Sequence, residues 1–198
     1  MQNSKPSTIS APLLLLALFS IISVSACTYA DNPLSARVFE DDGICGKWLF
    51  VNDAHEQVEL TIRKDSDGWY EFVDREPISG QSKMHESRGR FYPTITLSAK
   101  FLNAEYLLSA DKGSNSQDLQ KFTFLKYAVS KDGLSLWNID EQQLKSDILA
   151  HKLKGDVQES DLGPTLSIHD SADNMLKYLN APTTHFKPVG VGKLASNQ

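Results

Sequence analysis

The side chains best suited to metal or nucleophilic chemistry in this 198-residue chain are five histidines, His55, His85, His151, His169 and His185, and two cysteines, Cys27 and Cys45. A helical zinc site needs two histidines one turn apart, and a zinc ribbon needs paired cysteines. Neither spacing occurs, so no metal or cofactor ligand set is expected. His85-Glu86 and His169-Asp170 place an imidazole next to a carboxylate, but neighbours on a strand point to opposite faces. Turn or surface roles follow for both pairs. Ser135, in Gly133-Leu134-Ser135-Leu136-Trp137, lacks the second glycine of a nucleophile elbow. Gly190-Val191-Gly192-Lys193 has no helix after it and therefore cannot cradle a phosphate in the usual way. No catalytic residue is assigned from these patterns. An enzyme would have to gather distant residues such as Glu71, His85 and His185.

The cysteines carry more information through their surroundings. Met1 to Ser10 is polar with one cation, Lys5, while Leu13 to Val24 is almost wholly apolar and Ser25-Ala26 places small residues before Cys27. That order of segments is a secretory leader. Its apolar core falls well short of the roughly 20 residues a membrane-spanning helix needs. Val24-Ser25-Ala26-Cys27 resembles the lipobox of bacterial lipoprotein precursors. The resemblance implies cleavage after Ala26, a diacylglyceryl thioether on the Cys27 sulfur and an acylated (typically palmitoylated) new N-terminus. Each buried methylene of those chains contributes about 0.8 kcal/mol, which makes a lasting membrane anchor. In enteric-type bacteria an aspartate after the lipidated cysteine favours retention in the inner membrane, and here Thr28 stands there, so the outer membrane is the expected location. A lipidated Cys27 offers no thiol to Cys45, which is expected to be a small buried hydrophobe.

Without residues 1–26, which hold one basic residue and no acidic one, the formal charge moves from −5 to −6. The acidic residues are dispersed, which reads as a solvated surface and argues against a nucleic-acid partner. Residues 27–43 have little apolar periodicity and are expected to be a flexible tether. The folded domain is expected over 44–198.

Elements that could position a site are legible within that domain. Val58, Leu60 and Ile62 alternate with Glu59, Thr61 and Arg63, and Asp65-Ser66-Asp67-Gly68 supplies a turn into Trp69–Val73, so 56–73 predicts a β-hairpin. Further strands are predicted at 94–102, where Ile95, Leu97, Ala99 and Phe101 share a face, and at 106–109, 121–129 and 134–139. Between Phe124 and Leu125 the apolar phase switches, which predicts either a bulge or burial on both faces. Asp140 and Gln143 suit a helix start at 141–153. Ser171, Ala172, Met175, Leu176, Leu179 and Pro182 predict a second helix at 171–180, with Met175 as core rather than a cofactor contact. The fold class expected is α+β, mainly an antiparallel sheet in a meander or half-barrel, with about two helices toward the C-terminus.

Gly46-Lys47-Trp48, at the start of the first strand, is similar to the Gly-x-Trp motif of the lipocalins. That resemblance implies a barrel closed at one end by Trp48, with a ligand inside. Three function classes follow in order of preference. The first is a membrane-tethered, non-catalytic envelope module that binds a protein or envelope component. The second is a lipocalin-like carrier of a small hydrophobic ligand. The last is an enzyme with a dispersed site.

Overall fold

The computed structural model describes residues 27–52, 55–77, 84–108, 119–161 and 163–195. The leader, with Ala26 and the expected cleavage bond, lies outside the described residues, as does Ser109 at the end of the strand expected over 106–109.

The strands are β1 (Cys27–Ala30), β2 (Gly46–Val51), β3 (Gln57–Lys64), β4 (Tyr70–Pro77), β5 (Met84–Ile95), β6 (Lys100–Leu108), β7 (Leu119–Ser130), β8 (Gly133–Ile139), β9 (Gly155–Gln158), β10 (Thr165–Ile168) and β11 (Phe186–Leu194). The helices are α1 (Glu141–Leu149) and α2 (Ala172–Asn180). From β2 to β8 each strand pairs antiparallel with the next, and β11 inserts between β8 and β2. An eight-stranded barrel closes, where the sequence predicts a meander or half-barrel.

The barrel forms because most of its strands turn an apolar face inward. Trp48 and Phe50, Val58, Leu60 and Ile62, Tyr70 and Phe72, Phe91, Leu102, Ala104, Leu125, Tyr127, Leu134 and Leu136 fill the interior. Eight strands leave a lumen just wide enough for such side chains. Gly192 shows how tight the fit is, because a Cβ there would lie 2.3 Å from Cε2 of Phe50. The glycines of Gly190-Val191-Gly192-Lys193 are therefore room for an aromatic ring.

A second layer packs on the outside. β1 runs parallel to β10, β10 pairs antiparallel with β9, and β1 touches β7 through Ala30 and Phe122. Leu144, Ile148, Leu153, Leu166, Ile168, Met175 and Leu179 meet Phe101 and Phe124 of the barrel wall there. The phase switch in β7 is thus burial on both faces, with Phe124 outward and Leu125 inward. Both helices begin as expected: Asp140 Oδ1 accepts from the backbone N–H of Gln142 and Gln143, and Ser171 Oγ accepts from Asn174 N. α1 ends at Leu149 rather than near 153, with His151 in the left-handed region at φ 57°.

Two expectations need correction. The strand expected over 94–102 is a hairpin, β5 to β6, whose turn exposes Leu97. Thr96 Oγ1 donates to the Ala99 carbonyl and accepts from Ala99 N–H, closing the turn. Residues 27–43 are not a free tether. β1 is hydrogen-bonded within the sheet, Ala30 and Leu34 are buried, and Leu34 N donates to Asn103 Oδ1 at 2.8 Å.

Candidate functional site

The two ends of the barrel differ in how their polar groups are satisfied. At the end where β2 starts, a 3-10 turn at Asp42–Ile44 lies across the opening, and Trp48 Nε1 donates to the Ile44 carbonyl at 2.8 Å. Asp41 Oδ2 accepts from Tyr127 Oη at 2.9 Å and from Lys100 Nζ at 2.7 Å. Tyr70 Oη accepts from Asp41 N and donates to Asp42 Oδ1. Burial, helped by the carboxylate of Asp41, pushes the Tyr127 phenol far above its ordinary range, so it stays a donor. Gly46 adopts φ 145°, and a Cβ on it would meet Leu194 Cδ1 at 2.8 Å. The glycine and the tryptophan of the Gly-x-Trp stretch thus both serve the seal.

The opposite end is built from the last residues of β4 and the first of β5. Tyr70, Phe72 and Asp74 share the inner face of β4, since alternate residues of a strand point the same way. Asp74 is 2% exposed, stands opposite Leu60 on β3 and Ser87 on β5, and its Oδ1 has no hydrogen-bond partner. Ser87 Oγ is buried and unpartnered as well. One step nearer the rim, Glu76 faces His85 across the same pair of strands, and both are half-buried. Desolvation, with the Glu76 carboxylate close by, pushes the Asp74 carboxyl up to about 6.

The other buried acids among the described residues are fully engaged. Asp147 accepts from Lys152 and Tyr178, and Asp170 from Lys154 N, Ser171 N and Asn174. Their partners hold both carboxyls below the usual range. Asn103, wholly buried, donates to Thr94 and the Tyr92 carbonyl and accepts from Leu34 N. Leaving a buried polar atom unpaired costs about 1–3 kcal/mol. Facing unpaired groups on adjacent strands therefore mark this end as the candidate site.

The interior beneath Asp74 is apolar. Leu60, Ile62, Phe72, Phe91, Leu102, Ala104, Leu125 and Leu136 surround a void of about 20 Å³, enough for roughly one water molecule. A second void of similar size lies between α2 and the barrel wall, where Met175 packs beside Leu144, Ile168 and Leu179.

The residues named for a dispersed active site are not brought together. Glu71 is exposed on the outer face of β4, His85 is on the inner face of β5, and His185 is exposed, with its backbone N–H donating to Gln143 of α1. The histidine and acid of His169-Asp170 serve different partners. His169 Nδ1 lies 2.6 Å from Asp31 and its Nε2 3.0 Å from Asp156, while Asp170 holds the start of α2. Glu86 receives Arg75 and Arg88. Ser135 sits in β8 opposite Ala128. Cys45 is a free, half-buried thiol packed against the barrel core, and burial, then the Asp42 charge, raises it toward the inert protonated form. Among the described residues no group of three His, Cys, Asp or Glu side chains is placed to hold a metal ion.

A hairpin predicted to end at Val73 leaves out Asp74, which β4 includes as it continues to Pro77. One more step of the Tyr70, Phe72 alternation puts an acid on the apolar face, and that break was the available signal. No family model, curated protein or solved structure matches this chain.

Proposed function

We propose that the protein is a lipid-anchored binding module of the bacterial cell envelope that receives its partner at the Asp74 end of the barrel. The observation that supports binding is the asymmetry of the two ends. One is stitched shut by Trp48, Tyr70, Tyr127 and Asp41, and the other turns unpaired Asp74 and Ser87 atoms inward. Buried polar groups left without partners suit a ligand that supplies them. The anchor rests on the lipobox-like Val24-Ser25-Ala26-Cys27, and Thr28 favours the outer membrane.

The second reading, a lipocalin-like carrier, draws on the closed eight-stranded barrel and the Trp48 seal. Its cargo would need a pocket of about 300 Å³ or more. The lumen holds aromatic side chains around a void of about 20 Å³ instead, which puts the carrier second.

Metabolic labelling with radioactive palmitate tests the anchor. Label should enter the wild-type protein and not Cys27→Ser, and label on the variant refutes lipidation at Cys27. Native mass spectrometry of the protein extracted from its own host's membranes tests the binding reading. A protein or polar small molecule should accompany it, whereas a long-chain hydrophobic molecule in stoichiometric amount would move the carrier to first place.

A further inference from the structure

We infer that the Asp74 end of the barrel binds the primary ammonium group of a small organic cation, with the Asp74 carboxylate as counter-ion, Ser87 Oγ as hydrogen-bond acceptor and the ligand's aliphatic stem leading out past Glu76 and His85 toward the rim. This rests on the binding reading above and deepens it by naming the ligand's chemistry.

The geometry selects the charge. Asp74 and Ser87 are directly opposed on adjacent strands, with Asp74 Oδ1 and Ser87 Oγ both buried and without a hydrogen-bond partner, and such opposed pairs hold their Cβ atoms about 5 Å apart. A donor with several hydrogens placed between them satisfies both, and –NH₃⁺ carries three. Glu76, the next inward-facing residue toward the rim, adds a second negative charge along the approach. The remaining inner faces packed here bring no cation among the described residues. β3 contributes Val58 and Leu60, β2 contributes Phe50, and β5 contributes Ser87 and His85. Among the described residues none on these faces supplies the counter-charge. A metal ion fits poorly, since no three acidic or imidazole groups converge among the described residues. A guanidinium is planar and forked, which suits a bidentate carboxylate rather than an acid facing a hydroxyl.

The probes are hexylammonium chloride, N-acetyl-lysine methylamide and hexanol, titrated into the full-length protein in detergent by isothermal calorimetry near pH 8. At least one of the two ammonium probes should bind, roughly tenfold or more tightly than hexanol, a gap that corresponds to about 1.4 kcal/mol. Asp74→Asn should weaken that binding roughly tenfold or more, and Ser87→Ala by a smaller factor. Stronger binding of the lysine derivative would point to a protein side chain as the source of the ammonium, and stronger binding of hexylammonium to a free amine. A readout on the unaltered protein guards against a variant that fails to fold. Affinity should fall about tenfold for each pH unit below about 6, where Asp74 takes up its proton, and the fall should persist in His85→Ala and Glu76→Gln. Equal binding of hexanol, no binding of either ammonium probe, or an Asp74→Asn protein that binds as the wild type does would overturn the inference. Since the co-purification experiment uses no added amine, those results leave the binding-module reading standing or falling on its own test.

Discussion

Asp74 sets a pH dependence that most carboxylates do not. Its ordinary value of 3.8 is raised to about 6 in the fold by desolvation and then by Glu76, so between those values the folded protein holds a proton that the unfolded chain has released. Its destabilising effect is fully present above about 6 and disappears as pH falls through the interval toward 4. Replacing it by Asn should therefore stabilise the ligand-free protein by about 1–3 kcal/mol near pH 8 and change little near pH 4. Urea unfolding at the two pH values measures the difference, and an equal effect at both would remove the buried charge from the explanation. His169 behaves differently in cause but not in sign. Hydrogen bonds to Asp31, then to Asp156, raise it above 6.5, while Asp31 itself, despite burial, is held low by Lys121 and His169. The His169 contribution is present below 6.5 and is lost as pH rises through the raised value. All three side chains are substantially exposed, so His169→Gln should cost under about 1 kcal/mol near pH 6 and nothing near pH 9.

Elements whose apolar residues alternate cleanly were legible from sequence, and β3 and both helix starts follow the expected periods. β5 was not, for a physical reason that also hid the site. Its inner face carries His85, Ser87 and Gly89 before reaching Phe91, and its outer face carries Glu86, Arg88 and Arg90, so no apolar rhythm appears until the strand is half over. Gly89 is there because a Cβ would lie 2.5 Å from Cε1 of Phe72 on the neighbouring strand. That requirement cannot be read without knowing the register. Residues 27–43 misled in the opposite way, because their burial comes from side chains far away in sequence, such as Asn103 and Tyr92, rather than from their own periodicity. The Gly-x-Trp stretch was the informative local cue, and it can be tested at the level of the element it seals. Trp48→Ala should cost about 3–5 kcal/mol by emptying the barrel floor. Trp48→Phe should cost less, about 1–2 kcal/mol, since it keeps the ring and loses the bond to the Ile44 carbonyl. Thermal unfolding ranks the two, and equal losses would mean that the hydrogen bond to the Ile44 carbonyl, rather than ring packing, closes the barrel.

At the scale of the whole molecule, the close docking of residues 28–43 changes how an anchor at Cys27 would present the domain. A spacer would let the barrel wander above the headgroups. Here Cys27 is the first residue of β1, paired with Thr165 of β10, and the chain stays attached to the barrel afterwards. Tyr92 Oη donates to the Ser35 carbonyl, Ser35 and Thr94 share a 2.6 Å hydrogen bond, Arg37 lies 4.7 Å over the Trp69 ring, and Asp41 joins the floor. A lipid on Cys27 would then seat the β1–β10 layer directly at the membrane surface and fix which way the Asp74 end points. The discriminating residue is Leu34, which is 1% exposed and packs in the outer core with Leu153, Ile168 and Leu179. In a free spacer Leu34→Ala would leave stability unchanged. In the docked segment it should lower stability by about 2–5 kcal/mol, as removal of a buried leucine does. It should also speed tryptic cleavage after Arg37, because release of the segment exposes that bond through local opening. Unfolding curves and a digestion time course on the same two proteins give both readouts. Rapid cleavage after Arg37 in the wild type, with no stability change on substitution, would restore the tether and free the barrel from any fixed orientation.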